Sequence, residues 1–431
     1  MNKPNSAADT FDRWESSVRS YSRAFPTVFD RAQNARQISE DGTSYVDFFA
    51  GAGVLNFGHN NERMKRAVID YLERDGVVHS LDMSTTAKRA FLDRFVDVIL
   101  EPRAMNHRVQ FVGPTGTNAV EAALKLARRV TGRTHVVAFS HGFHGMTLGS
   151  LALTANAHFR NAAGVPLEHV SHHPFGCEPL CQGCELGCGA DSIERLRALY
   201  GDPSSGAAAP AAFVIETIQA EGGVNVASSE WLSALRRLAR DCGALFIIDD
   251  IQVGCGRTGS YFSFDGMDLD PDIVCLAKGI GGLGTPLAIN LIKPEHDSHW
   301  KAGEHTGTFR GQNLSFVAGR EALGYFEDDQ FMSEVRRKGS AMRARLEQIR
   351  DQHSNQSFQV KGRGMIRAID VADGALAARI ATLCFESGLL IGPCGSGGRV
   401  LKLIPPLTIP EGDLEHGLDL LSAAVQEAIA A

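Results

Sequence analysis

The stretch Phe246-Ile-Ile-Asp-Asp-Ile-Gln-Val-Gly-Cys-Gly-Arg-Thr-Gly259 decides the fold, together with Lys278 nineteen residues further on. The apolar run 244–248 predicts a buried strand, which ends in the carboxylates of Asp249 and Asp250. A glycine-rich turn follows, and a second apolar run at 273–277 ends in Lys278. The order along the chain is therefore strand, acid, turn, strand, lysine.

An acid and a lysine in this order suit an enzyme that uses pyridoxal phosphate. The acid faces the pyridine nitrogen and keeps it protonated, and the lysine forms a Schiff base with the cofactor aldehyde. Each residue alone has a more ordinary role, because Asp249 and Asp250 can cap a helix and Lys278 can be a solvated lysine. Further segments fit the same cofactor in chain order, which favours the cofactor hypothesis.

Strands alternate with helices over much of the chain. Short apolar runs predict strands at 109–112, 135–139 and 212–215, and polar residues gather where these runs end. This alternation predicts an α/β fold with a mostly parallel central sheet and a site at the carboxyl edge of its strands.

The composition changes near residue 315, where a charged helix and a strand pair follow. We expect a large cofactor-binding domain and a small α+β domain that is completed by the N-terminal residues. The large domain is expected at 50–314, with a cysteine-rich insert at 172–190, and the small domain at 1–49 and 315–431.

The segment Gly113-Pro-Thr-Gly-Thr-Asn118 leads into a predicted amphipathic helix. Asn118 with Glu121 is a capping-box variant that predicts the start of this helix. Gly116 and Thr117 at a helix N-terminus offer backbone N–H groups and a hydroxyl to a phosphate, although a plain strand-to-helix turn explains them equally well. Phe143, after the strand at 135–139, can stack on a cofactor ring or pack in the core.

Charge and composition argue against several classes of function. The 431 residues carry a formal net charge of −7, so no basic surface indicates binding to nucleic acid or to an anionic membrane. No apolar run reaches the length of a membrane-spanning helix, and residues 1–13 are too polar for a secretory signal. We expect a cytoplasmic protein that acts on small molecules.

With these residues described, the chain resembles the class III (ornithine/GABA-type) pyridoxal-phosphate aminotransferases from about residue 20 to its end. Ile248-Asp-Asp-Ile-Gln-Val-Gly-Cys-Gly-Arg-Thr-Gly259 matches the signature of that family. The resemblance implies the type I fold of pyridoxal-phosphate-dependent transferases and a homodimer, or a higher homo-oligomer, with shared active sites. It also implies roles for individual residues: Asp249 at the pyridine nitrogen, Gln252 at the ring hydroxyl, Lys278 in the Schiff base, Gly116 and Thr117 at the phosphate, Phe143 on the ring, and Thr308 at the phosphate held by the neighbouring subunit.

Five strings resemble one branch of the family, which moves the terminal amino group between L-2,4-diaminobutyrate and L-aspartate 4-semialdehyde. Glutamate and 2-oxoglutarate are the second substrate pair of that branch, which serves ectoine biosynthesis. Siderophore routes also use diaminobutyrate, so the pathway stays open at this point. The strings are Phe49-Ala-Gly-Ala-Gly53, Gly58-His-Asn60, Val109-Gln-Phe111 with Gly113-Pro-Thr-Gly-Thr-Asn118, Gly303-Glu-His305 and Gly307-Thr-Phe-Arg-Gly311.

Two departures from the family pattern concern the substrate carboxylate. Met146 stands where many members have an arginine, and Lys402 stands where ornithine-type enzymes have an arginine paired with a switchable glutamate. That glutamate corresponds to Glu221. Because lysine lacks the planar fork of arginine, its contact with a carboxylate cannot be identical. Arg310 is a candidate for the missing carboxylate contact.

Four cysteines crowd into twelve residues, namely Cys177, Cys181, Cys184 and Cys188. The first three have the spacing of radical S-adenosylmethionine enzymes, but the signatures elsewhere argue against that class. A structural zinc or cluster site, helped by His172 and His173, stays open beside free thiols or a redox pair, although four ligands within twelve residues are compact for tetrahedral zinc. We assign no metal.

Three further alternatives concern the activity itself. A binding protein that has kept only the fold is disfavoured, since Lys278, Asp249 and Gln252 are all intact. Another ω-aminotransferase of the ornithine or GABA type remains open. A mutase or racemase on the same fold is harder to exclude, because the cofactor chemistry is shared.

Overall fold

A computed structural model describes residues 7–176 and 191–430 of the chain. Within them the strands, in chain order, are Phe29–Gln33 (β1), Arg36–Ser39 (β2), Ser44–Asp47 (β3), Arg108–Gly113 (β4), Val136–Phe139 (β5), Val170–His173 (β6), Ala212–Ile215 (β7), Ile218–Gln219 (β8), Asn225–Val226 (β9), Leu245–Asp249 (β10), Ile273–Leu276 (β11), Ala288–Ile292 (β12), Gln359–Arg363 (β13), Ile366–Asp370 (β14), Leu389–Leu390 (β15), Gly392–Cys394 (β16) and Val400–Leu403 (β17). The right-handed α-helices are Ala7–Trp14, Tyr21–Ala24, Glu62–Glu73, Thr86–Phe95, Gly116–Thr131, Leu148–Leu153, Ala157–Arg160, Asp191–Tyr200, Ser229–Asp241, Pro294–Asp297, Asn313–Leu323, Gln330–Gln352, Gly374–Glu386 and Glu411–Ala430.

The central sheet has seven strands within the described ranges, in the order β4-β12-β11-β10-β7-β5-β6. Strand β12 runs antiparallel to both of its neighbours, and the pairings from β11 through to β6 are parallel. The predicted α/β fold with a mostly parallel central sheet is therefore confirmed. Because parallel strands point the same way, β10 and β11 deliver their final residues to one edge of the sheet.

Both faces of this sheet are covered, as its apolar sequences predict. In β10 the side chains alternate, with Phe246 and Ile248 in one buried cluster and Leu245 and Ile247 in another. The first cluster includes residues of helix Ser229–Asp241, and the second includes residues of helix Gly116–Thr131. A strand buried on both faces has no polar alternation, which explains the continuous apolar run.

The C-terminal part of the chain builds a second sheet with its own core. Its strand order is β13-β14-β17-β16, and β13 pairs antiparallel with β14, as the sequence predicts. Side chains from this sheet, from β3 and from the long helix Gln330–Gln352 share a separate buried cluster. The proposed domain boundaries at 49/50 and 314/315 stay a prediction.

Within the described part of the chain, no helix is both long and apolar enough to cross a membrane.

Candidate active site

Asp249 and Lys278 lie at the ends of the neighbouring strands β10 and β11. The parallel register aligns Asp249 with Cys275, and Lys278 follows three residues later. Lys278 begins the 3₁₀ turn Lys278–Gly281 with a φ of +53°, a left-handed conformation that costs a non-glycine residue about 1–2 kcal/mol. The surrounding packing therefore holds the lysine backbone in an unfavourable shape at the strand end.

The amine of Lys278 is easier to deprotonate than that of an ordinary lysine. Burial lowers its pKa to about 8, Glu221 opposes this shift, and the positive charge of Lys402 adds to it. A larger share of neutral amine is thus available near neutral pH, which nucleophilic and general-base roles both require.

Asp249 has a buried partner that sequence reasoning missed. Oδ2 of Asp249 lies 2.7 Å from Nδ1 of His144, and both side chains are withdrawn from solvent. Burial alone would lower the pKa of His144, but the hydrogen bond and charge of Asp249, together with Glu216, raise it above its ordinary value. The hydrogen bond and charge of Asp249 therefore favour the protonated form of His144.

Glu216, at the end of β7, completes this buried group. Its Oε2 accepts a hydrogen bond from the backbone N–H of Phe143 over 3.0 Å. Burial raises the pKa of Glu216 to about 8, with His144 acting in the opposite direction and Asp249 in the same direction. Burial of the Glu216 carboxyl therefore favours its protonated form.

Phe143 is adjacent to His144 in sequence and half-buried in the structure. Its ring contacts that of Phe159, with the ring centres 5.7 Å apart and the planes at 75°. The structure places Phe143 beside the Asp249 group through its neighbour His144 and through its amide bond to Glu216. Its stacking role stays a prediction.

Gly116 and Thr117 lie in the first turn of helix Gly116–Thr131, where backbone N–H groups lack intrahelical partners. The hydroxyl of Thr117 lies 2.6 Å from that of Thr147 and 2.8 Å from that of Ser150. The hydroxyl of Thr117 and the start of this helix are the groups that the sequence predicts for a phosphate. The phosphate role of Gly116 and Thr117 stays a prediction.

The predicted cap of this helix is wrong by three residues. The helix begins after Thr115, and the Asn118 side chain accepts a hydrogen bond from the Thr115 N–H over 3.2 Å. Glu121 instead accepts hydrogen bonds from the hydroxyl of Thr147 and the N–H of Ser150. The Thr-x-x-Asn pair thus forms the capping box one turn earlier than expected.

Glu221, Gln252 and Lys402 form one hydrogen-bonded group. Lys402 Nζ donates to Glu221 Oε1, and Gln252 Nε2 donates to the same oxygen over 3.0 Å. Burial opposes ionisation of Glu221, but Lys402 and Lys278 outweigh it and hold its pKa at about 2. Burial likewise disfavours the Lys402 ammonium, yet Glu221 raises its pKa. The two side chains form an ion pair that also influences Lys278.

Thr308 and Arg310 both lie on the 3₁₀ turn Thr308–Gly311. The carbonyl of Thr308 lies 2.7 Å from His79 Nε2, and its side chain is exposed. Arg310 donates to the carbonyls of Phe111 (2.7 Å) and His305. Its guanidinium therefore donates hydrogen bonds to two backbone carbonyls of its own chain. Its role toward a substrate carboxylate stays a prediction.

Tyr21 is a second residue that sequence reasoning missed. Its pKa is raised by burial and by the charge of Glu221, while Lys402 lowers it, so the phenol lies within electrostatic range of that pair. Its ring packs on Phe49, with the ring centres 5.1 Å apart. Nothing in the polar sequence around Tyr21 signals this position.

The crowded cysteines, at 177–188, lie outside the described residues, so the open question of a metal site stays open. His172 Nε2 lies 2.9 Å from the carbonyl of Leu153, and His173 Nε2 lies 2.7 Å from the Tyr200 hydroxyl. In residues 7–176 and 191–430, no group of three or more His, Cys, Asp and Glu side chains is arranged to hold a metal ion.

Comparison with known proteins agrees with this geometry. The sequence profile described as Aminotransferase class-III matches residues 17–425. The chain belongs to the class-III aminotransferase family. This confirms the predicted family and the predicted transaminase activity.

Curated relatives of this class-III aminotransferase span almost its whole length. A protein named diaminobutyrate–2-oxoglutarate transaminase from Oceanobacillus iheyensis is 45% identical over 429 residues, which cover 100% of this chain and 99% of that protein. The protein of the same name from Bordetella parapertussis is 49% identical over 421 residues, covering 97% and 95% of the two chains.

Solved structures show the same fold at lower sequence identity. The ornithine aminotransferase of Toxoplasma gondii superposes with a TM-score of 0.83 at 23% identity, covering 98% of this chain and 94% of that chain. An aminotransferase from Bacillus anthracis gives 0.85 at 22% identity, covering 97% and 98%. The predicted type I fold of this class-III aminotransferase is confirmed.

Proposed function

We propose that this aminotransferase uses pyridoxal 5'-phosphate to move the terminal amino group between L-2,4-diaminobutyrate and L-aspartate 4-semialdehyde. Glutamate and 2-oxoglutarate form the second substrate pair. The observation that carries the proposal is the identity of 44% to 49%, over at least 97% of the chain, to proteins named diaminobutyrate–2-oxoglutarate transaminase.

The described residues fit this cofactor. A lysine with a lowered pKa and a buried carboxylate end adjacent strands, and a helix start supplies N–H groups and hydroxyls. A Cβ atom at Gly145 would lie 2.5 Å from Thr117 Oγ1, so glycine is needed to leave that hydroxyl in place. When bound, the cofactor supplies an electron-accepting ring and an aldehyde that carries the amino group between substrates.

Each residue of the site then has a physical task. Asp249, backed by His144, holds positive charge at the pyridine nitrogen. Lys278 Nζ would hold the aldehyde of the cofactor, and its amine, with a pKa lowered to about 8, would serve as the base that moves the proton at the substrate carbon. Gly116 and Thr117 would hold the phosphate, Phe143 would pack on the ring, and Gln252 would contact the ring hydroxyl.

The two substrate pairs place different demands on one site. Diaminobutyrate reacts at its terminal carbon, which bears no carboxylate, so its α-carboxylate must be held away from the cofactor. Glutamate reacts at its α-carbon, which brings a carboxylate close to the cofactor. The ion pair of Glu221 and Lys402 supports a switch between these demands, because Glu221 masks the Lys402 charge when paired and exposes it when moved.

Oligomeric state and compartment complete the proposal. The exposed side chains of Leu81, Met83 and Phe309, close to the exposed Thr308, support a homodimer in which Thr308 reaches the cofactor phosphate of the neighbouring subunit. The cysteines that the structure describes are free thiols, which supports the cytoplasm. The strings shared with the diaminobutyrate branch support a place in ectoine biosynthesis.

A half-reaction titration tests the substrate. Each amine is added alone to the holoenzyme, and loss of the visible absorbance of the cofactor is followed. Diaminobutyrate and glutamate should bleach it rapidly, and 2-oxoglutarate should restore it. Ornithine is one methylene longer and GABA lacks the α-amine, so both are matched controls.

Bleaching by ornithine or GABA, but not by diaminobutyrate, would contradict the proposed substrate. Isomerisation of an amine without bleaching would instead indicate a mutase or racemase.

A further inference from the structure

The segment 140–144, which carries Phe143 and His144, depends on contacts from outside it. His141 has a φ of +67°, a left-handed conformation that non-glycine residues rarely adopt. The Ser140 N–H donates to the carbonyl of His173 on β6 over 2.8 Å, and the Ser140 carbonyl has a partner elsewhere. Neighbouring parts of the chain therefore fix the path of this segment.

Gln219, a buried residue of β8, is the partner of that carbonyl. Its Nε2 donates to the Ser140 carbonyl over 2.7 Å, and its Oε1 accepts from Asn225 Nδ2 over 3.1 Å. Rotating the Gln219 amide by half a turn would set its oxygen against the carbonyl and its NH₂ group against the NH₂ of Asn225. The amide therefore has one orientation, with an N–H group directed at the segment.

Asn225 faces Gln219 across the hairpin of β8 and β9. Its Nδ2 also donates to the Gly222 carbonyl over 3.2 Å, and its Oδ1 accepts from Lys361 Nζ over 2.6 Å. Lys361 lies on β13 of the second sheet. The donors all point one way, from this ammonium toward the segment beside the central sheet. We call the four residues the relay: Lys361, Asn225, Gln219 and Ser140.

The hairpin of β8 and β9 also packs tightly on the segment. A Cβ atom at Gly222 would lie 2.2 Å from the His141 carbonyl oxygen, so only glycine fits between them. Hydrogen bonds in a connected series polarise and strengthen one another. The ammonium at one end of the relay therefore supports the hydrogen bond to Ser140 at the other end.

We propose that Gln219 is a positioning residue that fixes the segment carrying Phe143 and His144. Lys361 of the second sheet in turn fixes Gln219 through Asn225. The inference rests on the proposed function, which places the cofactor against this segment. It makes the position of the aromatic ring depend on the second sheet as well as on the central one.

The first test is Gln219→Leu, which removes the donor to the Ser140 carbonyl. Hydrogen exchange of the holoenzyme, followed by mass spectrometry, should be about fivefold faster or more in residues 139–145, since one hydrogen bond is lost. For the same reason the dissociation constant of the cofactor should rise about threefold to tenfold. The visible circular dichroism of the bound cofactor should also change, because it reports the surroundings of the ring. Unchanged exchange in residues 139–145 would overturn the inference.

Leu346→Ala controls for a general loss of stability. Leu346 is fully buried in the separate core of the second sheet, so its truncation lowers the melting temperature without removing a relay hydrogen bond. Exchange in residues 139–145 and the circular dichroism of the cofactor should stay at their wild-type values. If this variant changes both as Gln219→Leu does, the effect is general destabilisation and the inference fails.

The second test removes the far end of the relay. Lys361→Met should change exchange and cofactor affinity in the same direction as Gln219→Leu, by about twofold to threefold. The double variant should match Gln219→Leu alone, because Lys361 acts through Gln219. Additive effects would show that Lys361 acts by another route and would contradict the relay. If Gln219→Leu does not fold, Lys361→Met decides alone, and wild-type exchange in residues 139–145 then refutes the inference.

These outcomes separate the inference from the proposed function. If neither diaminobutyrate nor glutamate bleaches the wild-type cofactor, the proposed substrates are wrong, while exchange and cofactor affinity still decide the role of Gln219. If both amines bleach it and Gln219→Leu behaves like the wild type, the function stands and the inference fails.

Discussion

His144 and Asp249 form a buried pair in which the imidazole Nδ1 lies 2.7 Å from the carboxylate Oδ2. The imidazole reaches Asp249 from the loop after β5, and the carboxylate ends β10. Because His144 directly follows Phe143, one short segment carries both the partner of Asp249 and the aromatic ring assigned to the cofactor face. This segment thus positions the Phe143 ring and the partner of Asp249 together.

His144→Phe should leave Asp249 buried without its partner. Removing one member of a buried charged pair costs about 3 kcal/mol or more, so the melting temperature should fall. The pH dependence of the cofactor absorbance should also shift, which a purely structural role would not produce.

Asp249→Asn should lower the turnover rate by roughly a hundredfold or more, because an amide supplies no counter-charge. The affinity for the cofactor should fall far less.

Lys278→Ala should abolish covalent attachment of the cofactor and reduce turnover by about a thousandfold or more, since both the nucleophile and the proton carrier are lost. Borohydride reduction followed by mass spectrometry measures the attachment, and steady-state kinetics measures the turnover. Lys65→Ala, on the exposed side of helix Glu62–Glu73, is the control and should change neither. Sustained multiple turnover by Lys278→Ala would show that another residue carries the proton.

Gly145→Ala should displace Thr117 and weaken cofactor binding by roughly tenfold, because the added methyl lies 2.5 Å from Thr117 Oγ1. Equilibrium dialysis of the cofactor measures this change. Gly164→Ala is the matched control, since Gly164 also has a positive φ but no atom within 4 Å of the added methyl. The same loss of affinity in both variants would trace the effect to backbone strain rather than to Thr117.

Asp250 should make stability depend on pH. It is fully buried, its Oδ1 lacks a hydrogen-bond partner, and burial raises its pKa from 3.8 to about 7. The folded state therefore binds this proton more tightly than the unfolded state, so its contribution to stability is complete below pH 4 and is lost as the pH rises toward 7.

Asp250→Asn cannot titrate and should be more stable than the wild type above pH 7, by up to a few kcal/mol, with the difference narrowing toward pH 5. Thermal unfolding at pH 5, 6, 7 and 8, at one scan rate, measures this trend. A stability difference that stays constant across the range would contradict it.

Phe309→Glu should weaken self-association. The ring of Phe309 is 60% exposed in one chain and lies next to Thr308, which we assign to the neighbouring active site. Burying a carboxylate at an interface is unfavourable, so sedimentation velocity over a concentration series should show more monomer than in the wild type. An unchanged dimer would place this loop outside the interface.

The features that could be predicted from the sequence are local or periodic. Asp249 and Lys278 could be placed because apolar runs mark their strands and each residue directly follows its run. The partner of Asp249 could not be predicted, since His144 lies 105 positions away and its role depends on folding.

Other features depend on tertiary packing. The alternation of alanine and glycine at 50–53 allows a left-handed turn but does not require alanine to adopt one. Glu216 follows an apolar run and is typical of a polar strand end, although burial raises its pKa to about 8. The helix cap is Thr115 and not Asn118 as predicted. The patterns Thr115-x-x-Asn118 and Asn118-x-x-Glu121 overlap there, and the first one forms the capping box.

Tyr21 gives the N-terminal residues a practical importance. Its phenol lies within electrostatic range of Glu221 and Lys402, and its ring rests on Phe49, beside the left-handed turn. A protein trimmed by a protease after residue 24 would keep every strand of the central sheet yet lose the Tyr21 ring that packs on Phe49 and the phenol near Glu221 and Lys402. Affinity tags for purification are therefore better placed at the C-terminus, and intact mass should be checked before kinetic constants are compared between preparations.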